Sequence, residues 1–295
     1  MRGILSFRFI HKKRVYRSSF PVGVIVIRAF ERNLFGSRSA MPVLLLLLLM
    51  ATILQSRCAA SEAASIGADV ENAAAIEHLQ GLSDIRFVLS ASLESRREEF
   101  RQNYIHAQIR LRNFARQYGW EKLTETPFVT QIEIYDTKDG FDKRMRSFSP
   151  DETNAKIPKT FSACIEKGIF AAVSPEIYVE NYADGREPDA YEKLMTHELA
   201  HRLHVRICKD DEDKMGPVWF YEGFAIYVAD QLNLNRPKLS TAEIWSILDA
   251  SERGSYAKYN VVFRYFLKDA PLPEYVQRAG EPGFREWLKA HCGPS

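Results

Sequence analysis

Residues 188–207, PDAYEKLMTHELAHRLHVRI, decide how the rest of the chain is read. The pattern is helical from Pro188 onward, with the proline where a helix favours it, and predicts a helix over Asp189–Ile207. Strand patterns lie before it. Asp84–Ala91 (DIRFVLSA) and Pro127–Tyr135 (PFVTQIEIY) have strand character, and Gly168–Val173 and Ile177–Glu180 read as short strands around Ser174-Pro175. Helices follow it: Val218–Asn233, one opened by the capping box Ser240-x-x-Glu243, Tyr256–Lys268 and Gly283–His291. Strands first and helices afterwards predict an α+β fold. A small mixed β-sheet with helices comes first, the helix above stands at the join, and a helical C-terminal subdomain follows.

Working outward, Glu94–Tyr118 reads as a long, charge-rich amphipathic helix closed by Gly119, and DTKDGFDKRM as a turn into a short helix. Val70–Leu79 reads as a short helix, and the proline-broken residues 149–160 as a loop. The expected organisation is a leader over 1–60, then an N-terminal arm, strand and long helix over 61–125, then the main domain over 126–295. That domain has a sheet part, 126–187, and a helical part, 188–295.

The chain has 295 residues, of which 46% are apolar, 26% charged and 12% aromatic. This globular composition excludes a disordered tail, a collagen-like chain and a multi-span membrane protein. Residues 1–60 hold ten Lys/Arg and one acid, so residues 61–295 carry 30 bases against 37 acids, a net charge of about −7. An acidic body argues against nucleic acid or an anionic membrane as a partner. Residues 43–54, VLLLLLLMATIL, are short for a bilayer span but match the apolar core of a secretory signal, and small residues follow them. The expectation is an exported protein, secreted or in the periplasm or cell envelope, cleaved near Ala60. Membrane contact would come only through the leader, as a signal-anchor, if it stays uncleaved. Loss of the leader removes Cys58 and leaves Cys164, Cys208 and Cys292, which allow one disulfide and one free thiol with no pairing assigned. No CxxC pair supports a thiolate metal site.

His197-Glu198-Leu199-Ala200-His201 is HExxH within the predicted helix. Residues i and i+4 lie one turn apart on one helix face, so two imidazoles there can grip one Zn²⁺. Glu198, beside the first histidine, can reach a metal-bound water and take its proton. A histidine at 207 after a glycine at 204 would complete one known ligand set, but the chain has His204 and Ile207. His204 itself lies seven residues beyond His197, about 10 Å along the axis, too far to share a metal with it. It reads as a packing residue or a support for the ligands. Glu222, in Trp219-Phe220-Tyr221-Glu222-Gly223-Phe224-Ala225, is the remaining candidate. The acidic, Gly-Pro-containing loop 209–217 can fold the second helix back on the first and aim this carboxylate at the histidines. Gly223 permits close approach of backbone or metal site.

HELAH followed by WFYEGFA resembles the gluzincin zinc metallopeptidases, the thermolysin-like and aminopeptidase N-like group and especially the peptidase MA-like domains, over roughly residues 127–268. The resemblance implies His197, His201 and Glu222 as zinc ligands and Glu198 as general base and proton shuttle. It also implies a tyrosine or histidine that donates to the oxyanion of the transition state, where charge develops on the carbonyl oxygen. Tyr256 is the first choice, Tyr259 the alternative and His291 a remote one. Two positions depart from the family. Ile226 stands where thermolysin-like enzymes carry an Asp that orients a zinc histidine, and no replacement is named. Glu180-Asn181 lacks the Gly and Met of the aminopeptidase strand, which leaves Glu180 weak as an amine anchor. Ile177, Tyr178 and Val179 are expected to form an edge strand that pairs with an extended peptide or protein substrate. The implied function is an exported zinc peptidase, endo- or aminopeptidase undecided. The competing reading is an inactive protein of the same fold that binds peptides.

Overall fold

A computed structural model of the chain describes residues 85–148, 156–234, 236–250 and 253–292. The apolar leader, the helix expected at Val70–Leu79 and most of the loop 149–160 lie outside the described residues. Among the described residues no helix is long and apolar enough to cross a membrane. The architecture is α+β, with one small mixed sheet and nine α-helices among the described residues.

The sheet contains β1 (Arg86–Leu89), β2 (Gln131–Tyr135), β3 (Ala163–Glu166) and β4 (Ile169–Val173) in the order β1-β2-β4-β3. β1, β2 and β4 run parallel, and β3 pairs antiparallel with β4. Parallel neighbours need long crossovers. Helix α1 (Arg97–Gln117) supplies the one from β1 to β2, and α2 (Lys138–Phe148) begins the return from β2. Side chains alternate across the central strand. Ile132 and Ile134 are fully buried on one face, while Gln131, Glu133 and Tyr135 share the other, where Arg144 of α2 meets Glu133.

Two readings of the segment before the long helix need correction. The strand Ala163–Glu166 was not expected, although Lys167-Gly168 joins it to β4 in a two-residue turn with φ of 53° and 74°. Positive φ at both positions is the hairpin geometry that glycine eases. The strand expected at Ile177–Glu180 is instead helix α3 (Pro175–Asn181). Ser174 is extended at the N-cap, Pro175 sits in the first turn with its φ already helical, and Glu176 follows at the positive end of the dipole. These start signals outweigh the β-branched residues behind them. Tyr178 is buried, and Ile177, Tyr178 and Val179 therefore offer no open strand edge.

The helical part consists of α4 (Ala190–Ile207), α5 (Val218–Ala229), α6 (Thr241–Leu248), α7 (Tyr256–Phe266), α8 (Leu272–Ala279) and α9 (Phe284–Cys292). α6 opens with the expected capping box, Ser240 accepting from the Glu243 N–H while Glu243 accepts from Ser240 N at 2.8 Å. α4 packs between α1 and α5, and α5 packs on α7. A Cβ on Gly223 would stand 2.7 Å from Phe263 Cβ, so the glycine lets α5 and α7 approach; it does not serve the metal site. Around that contact Phe220, Phe224 and Phe263 are buried, each contributing about 1.5–3 kcal/mol by leaving water. α5 ends four residues earlier than expected, because Asp230 turns left-handed (φ 55°) and Gln231 N–H returns to Ile226 O. Cys164, Cys208 and Cys292 are all free thiols, so the single disulfide allowed by their number does not form.

Candidate metal centre

The HExxH residues fall in the middle of α4, and the turn after it reverses the chain so that α5 lies alongside. Three ligand atoms converge. His197 Nε2 and His201 Nε2 are 3.1 Å apart, and Glu222 Oε2 lies 3.3 Å from the first and 3.7 Å from the second. Tetrahedral bonds of about 2.0–2.1 Å set ligand atoms about 3.3 Å apart, so the triangle has the size a divalent ion needs. Glu222 is 1% exposed and its Oε2 has no hydrogen-bond partner. An ionised oxygen buried without a donor costs free energy unless a cation meets it. These three residues are therefore a group that could hold a metal ion.

Burial pushes the pKa of both imidazoles down, His201 furthest, which keeps them neutral with a lone pair to offer. His197 Nδ1 faces Gln231 Oε1 at 2.9 Å, and donation to that carbonyl leaves Nε2 as the unprotonated, inward nitrogen. Gln231 is the partner that Ile226 could not supply: Ile226 is wholly buried among apolar neighbours. The left-handed turn at Asp230 brings Gln231 back, and Asn260 Nδ2 donates to the carbonyls of Gln231 and Leu232 at 3.0 Å each.

Glu198 is half-buried beside the ligands, and its pKa is pushed up to about 7 by burial, with His197 and Arg253 pulling the other way. Burial raises the pKa values of Tyr178, Tyr256 and Cys164, and the charge of Glu198 adds to each shift. Tyr256 stacks on the His197 ring at 5.8 Å with 16° between planes, and burial raises its pKa. Tyr221 meets the His201 ring edge-on at 5.9 Å. Arg253 donates through Nη2 to Glu222 Oε1 and, at 2.6 Å, to the Tyr256 hydroxyl oxygen.

The other sequence candidates lie elsewhere or are engaged. The Tyr259 hydroxyl accepts from Gly254 N–H, and its ring is buried. His291 stacks on Trp287 at 4.6 Å in α9. Glu180 meets Lys159 at 3.4 Å on the exposed side of α3. His204 is enclosed by Phe220 and Phe224, with both ring nitrogens unpartnered, so it packs and takes no part in the cluster. Gln231, Arg253 and Tyr221 escaped the sequence reading. The first two stand beyond a helix end and inside a connection, where no spacing rule relates them to the histidines, and Tyr221 was quoted only as flanking Glu222. No family model matches the chain, and neither a curated protein nor a solved structure matches it.

Proposed function

We propose that this chain is an exported zinc-dependent metallopeptidase with a gluzincin-like arrangement of its catalytic helices. One observation carries the reading: the His197–His201–Glu222 triangle of metal-bond dimensions, its buried carboxylate oxygen unpartnered, with Glu198 next to His197 in the chain. A bound zinc ion would polarise a scissile carbonyl and acidify a water molecule.

The chain's own residues supply the rest. Glu198 is the general base: its carboxylate takes the proton of the attacking water and hands it to the leaving amine. Burial raises the Glu198 pKa, which makes the carboxylate a better proton acceptor. Tyr256 donates its hydroxyl proton toward the carbonyl oxygen as negative charge builds there. The edge role expected of Ile177–Val179 passes to β3. It is one of the two outer strands of the sheet and runs beside α4, and its outer edge pairs with no strand among the described residues, which suits the backbone of an extended peptide. The competing reading, a peptide-binding protein without activity, rests on the Asp missing at Ile226 and on the unassigned tyrosine; Gln231 beside His197 Nδ1 and Tyr256 stacked on the same ring favour the peptidase.

The test is metal analysis with casein hydrolysis on three proteins. Wild type should bind one zinc and cleave. Glu222→Ala should lose the metal. Glu198→Gln should keep it and lose at least about 10²–10⁴-fold in rate, because glutamine keeps the shape but cannot accept the proton. Full zinc in Glu222→Ala sinks the ligand assignment, and wild-type turnover in zinc-loaded Glu198→Gln sinks the mechanism. The pH profile should follow the same group, with kcat/KM falling as pH drops through the range where Glu198 takes up a proton, because protonated Glu198 is no base.

A further inference from the structure

Arg253 belongs to no motif. It stands in the connection between α6 and α7, yet its guanidinium reaches both a metal-ligand candidate and the hydroxyl donor. We propose that Arg253 is a positioning residue that sets Glu222 and Tyr256 with a single nitrogen, so that Glu222 meets a metal through Oε2 alone and Tyr256 keeps its proton for the substrate. This rests on the metallopeptidase reading above.

The geometry divides each partner's capacity in two. Glu222 turns Oε2 toward the two histidines and Oε1 toward Arg253, the one donor to Oε1 among the described residues. With Oε1 held, the carboxylate cannot rotate to present both oxygens to one ion. Tyr256 accepts from Arg253 at its hydroxyl oxygen, which orients the lone pair and leaves the O–H as a donor. The guanidinium also lies over the Tyr256 ring, 5.4 Å from its centroid, while the His197 ring stacks on that tyrosine. Arginine suits this place because its planar, fixed fork holds two acceptors at a set angle, which a rotating ammonium does not. The Arg253 side chain keeps 44% of its surface exposed, so removing it opens no core.

Cobalt(II) in place of zinc makes the coordination visible, since four-coordinate cobalt absorbs more strongly in the visible than five-coordinate cobalt. Wild type, Arg253→Ala, Tyr256→Phe and the double variant are loaded with cobalt for spectra and with zinc for kinetics. Arg253→Ala should show weakened cobalt bands as Glu222 adds its second oxygen. Its kcat should fall about 10–100-fold with KM little changed, because the misplaced groups act in the transition state. In the double variant the losses should multiply only in part, since Arg253 acts partly through Tyr256 and partly through Glu222. Arg253→Lys keeps the charge and should show the same changes at smaller size, which serves if alanine disturbs folding. A cobalt spectrum unchanged in both Arg253 variants overturns the hold on Glu222, and losses that multiply in full overturn the hold on Tyr256; either result overturns the joint role proposed. A wild type that binds no cobalt overturns it together with the metal reading. A wild type that binds cobalt but cleaves nothing removes the peptidase reading alone, and the spectra then decide the hold of Arg253 on Glu222.

Discussion

Glu133 in the sheet and Glu222 in the helical part are both buried carboxylates, 4% and 1% exposed, and they are treated in opposite ways. Around Glu133 both oxygens are saturated. Oε1 accepts from Gln131 at 2.5 Å and Arg144 Nη2 at 2.7 Å; Oε2 accepts from the Tyr135 hydroxyl at 2.6 Å and Arg144 Nε at 2.8 Å. Around Glu222 only Oε1 is met, by Arg253, and Oε2 faces two imidazole nitrogens with no hydrogen-bond donor. A saturated buried charge ties elements together, here β2 to α2. A half-saturated one is costly in itself and is retained where something else completes it. The contrast separates an acid that joins two elements from one that could hold a cation on hydrogen bonding alone, since burial does not distinguish them.

The largest effect should come from breaking the saturated site. Arg144→Leu leaves the Glu133 carboxylate buried with two neutral donors, and removing one partner of such a pair costs about 3 kcal/mol. Urea unfolding should show that loss while metal content stays at the wild-type level. Glu222→Gln should do the reverse: metal binding is lost, and in chelator-treated protein the stability stays within about 1 kcal/mol of wild type, because a buried charge met at only one oxygen has gone while a glutamine oxygen can still accept from Arg253. If chelated Glu222→Gln unfolds as readily as Arg144→Leu, the distinction between the two acids fails.

The same contrast explains what the sequence made legible. His197 and His201 are related by helix geometry and Glu222 by an aromatic-flanked helix start, so local periodicity reaches all three. Glu198 follows from its neighbour. The chain reversals were harder. The Lys167-Gly168 hairpin is marked only by its glycine, and α3 is masked because Ile177, Tyr178 and Val179 carry strand preference while the start signal lies in Ser174-Pro175-Glu176. α8 carries buried Leu272, Tyr275, Val276 and Ala279 at helical spacing, with Pro271 and Pro273 at its start, and no element is expected there from the sequence. Gln231 and Arg253 owe their places to tertiary turns, which single-sequence spacing cannot encode.

His204 extends the comparison along α4. It is as buried as His197 but lacks any partner, and burial lowers its pKa to about 3. The unfolded chain takes up a proton below pH ~6.5 that the folded chain refuses until about 3, so stability is lost as pH falls through that window. At pH 4.5 the loss from this group is of order 2–3 kcal/mol. His204→Leu should remove it, so the metal-free variant should lose less stability between pH 7 and 4.5 than metal-free wild type. Equal losses in the two proteins would show that His204 titrates normally.

The smallest effect concerns the bond that completes His197. Gln231 Oε1 accepts from Nδ1–H, which selects the tautomer with Nε2 free and holds the ring toward Glu222. Without that acceptor the imidazole must find its tautomer and orientation unaided, and such supporting partners typically contribute 10–100-fold to metal affinity. Gln231→Ala should therefore weaken zinc by that factor, about 1.4–2.7 kcal/mol, as measured by competition with a chromophoric chelator. Gln231→Glu restores an acceptor oxygen at the same reach and should recover most of the affinity. Asn260→Ala releases the carbonyls of Gln231 and Leu232 that Asn260 holds, so it should loosen the same turn and weaken zinc in the same direction but less. Should Gln231→Ala bind zinc as tightly as wild type, the His197 ring is held by packing against Tyr256 and His201 instead, and the glutamine is only a satisfied buried amide.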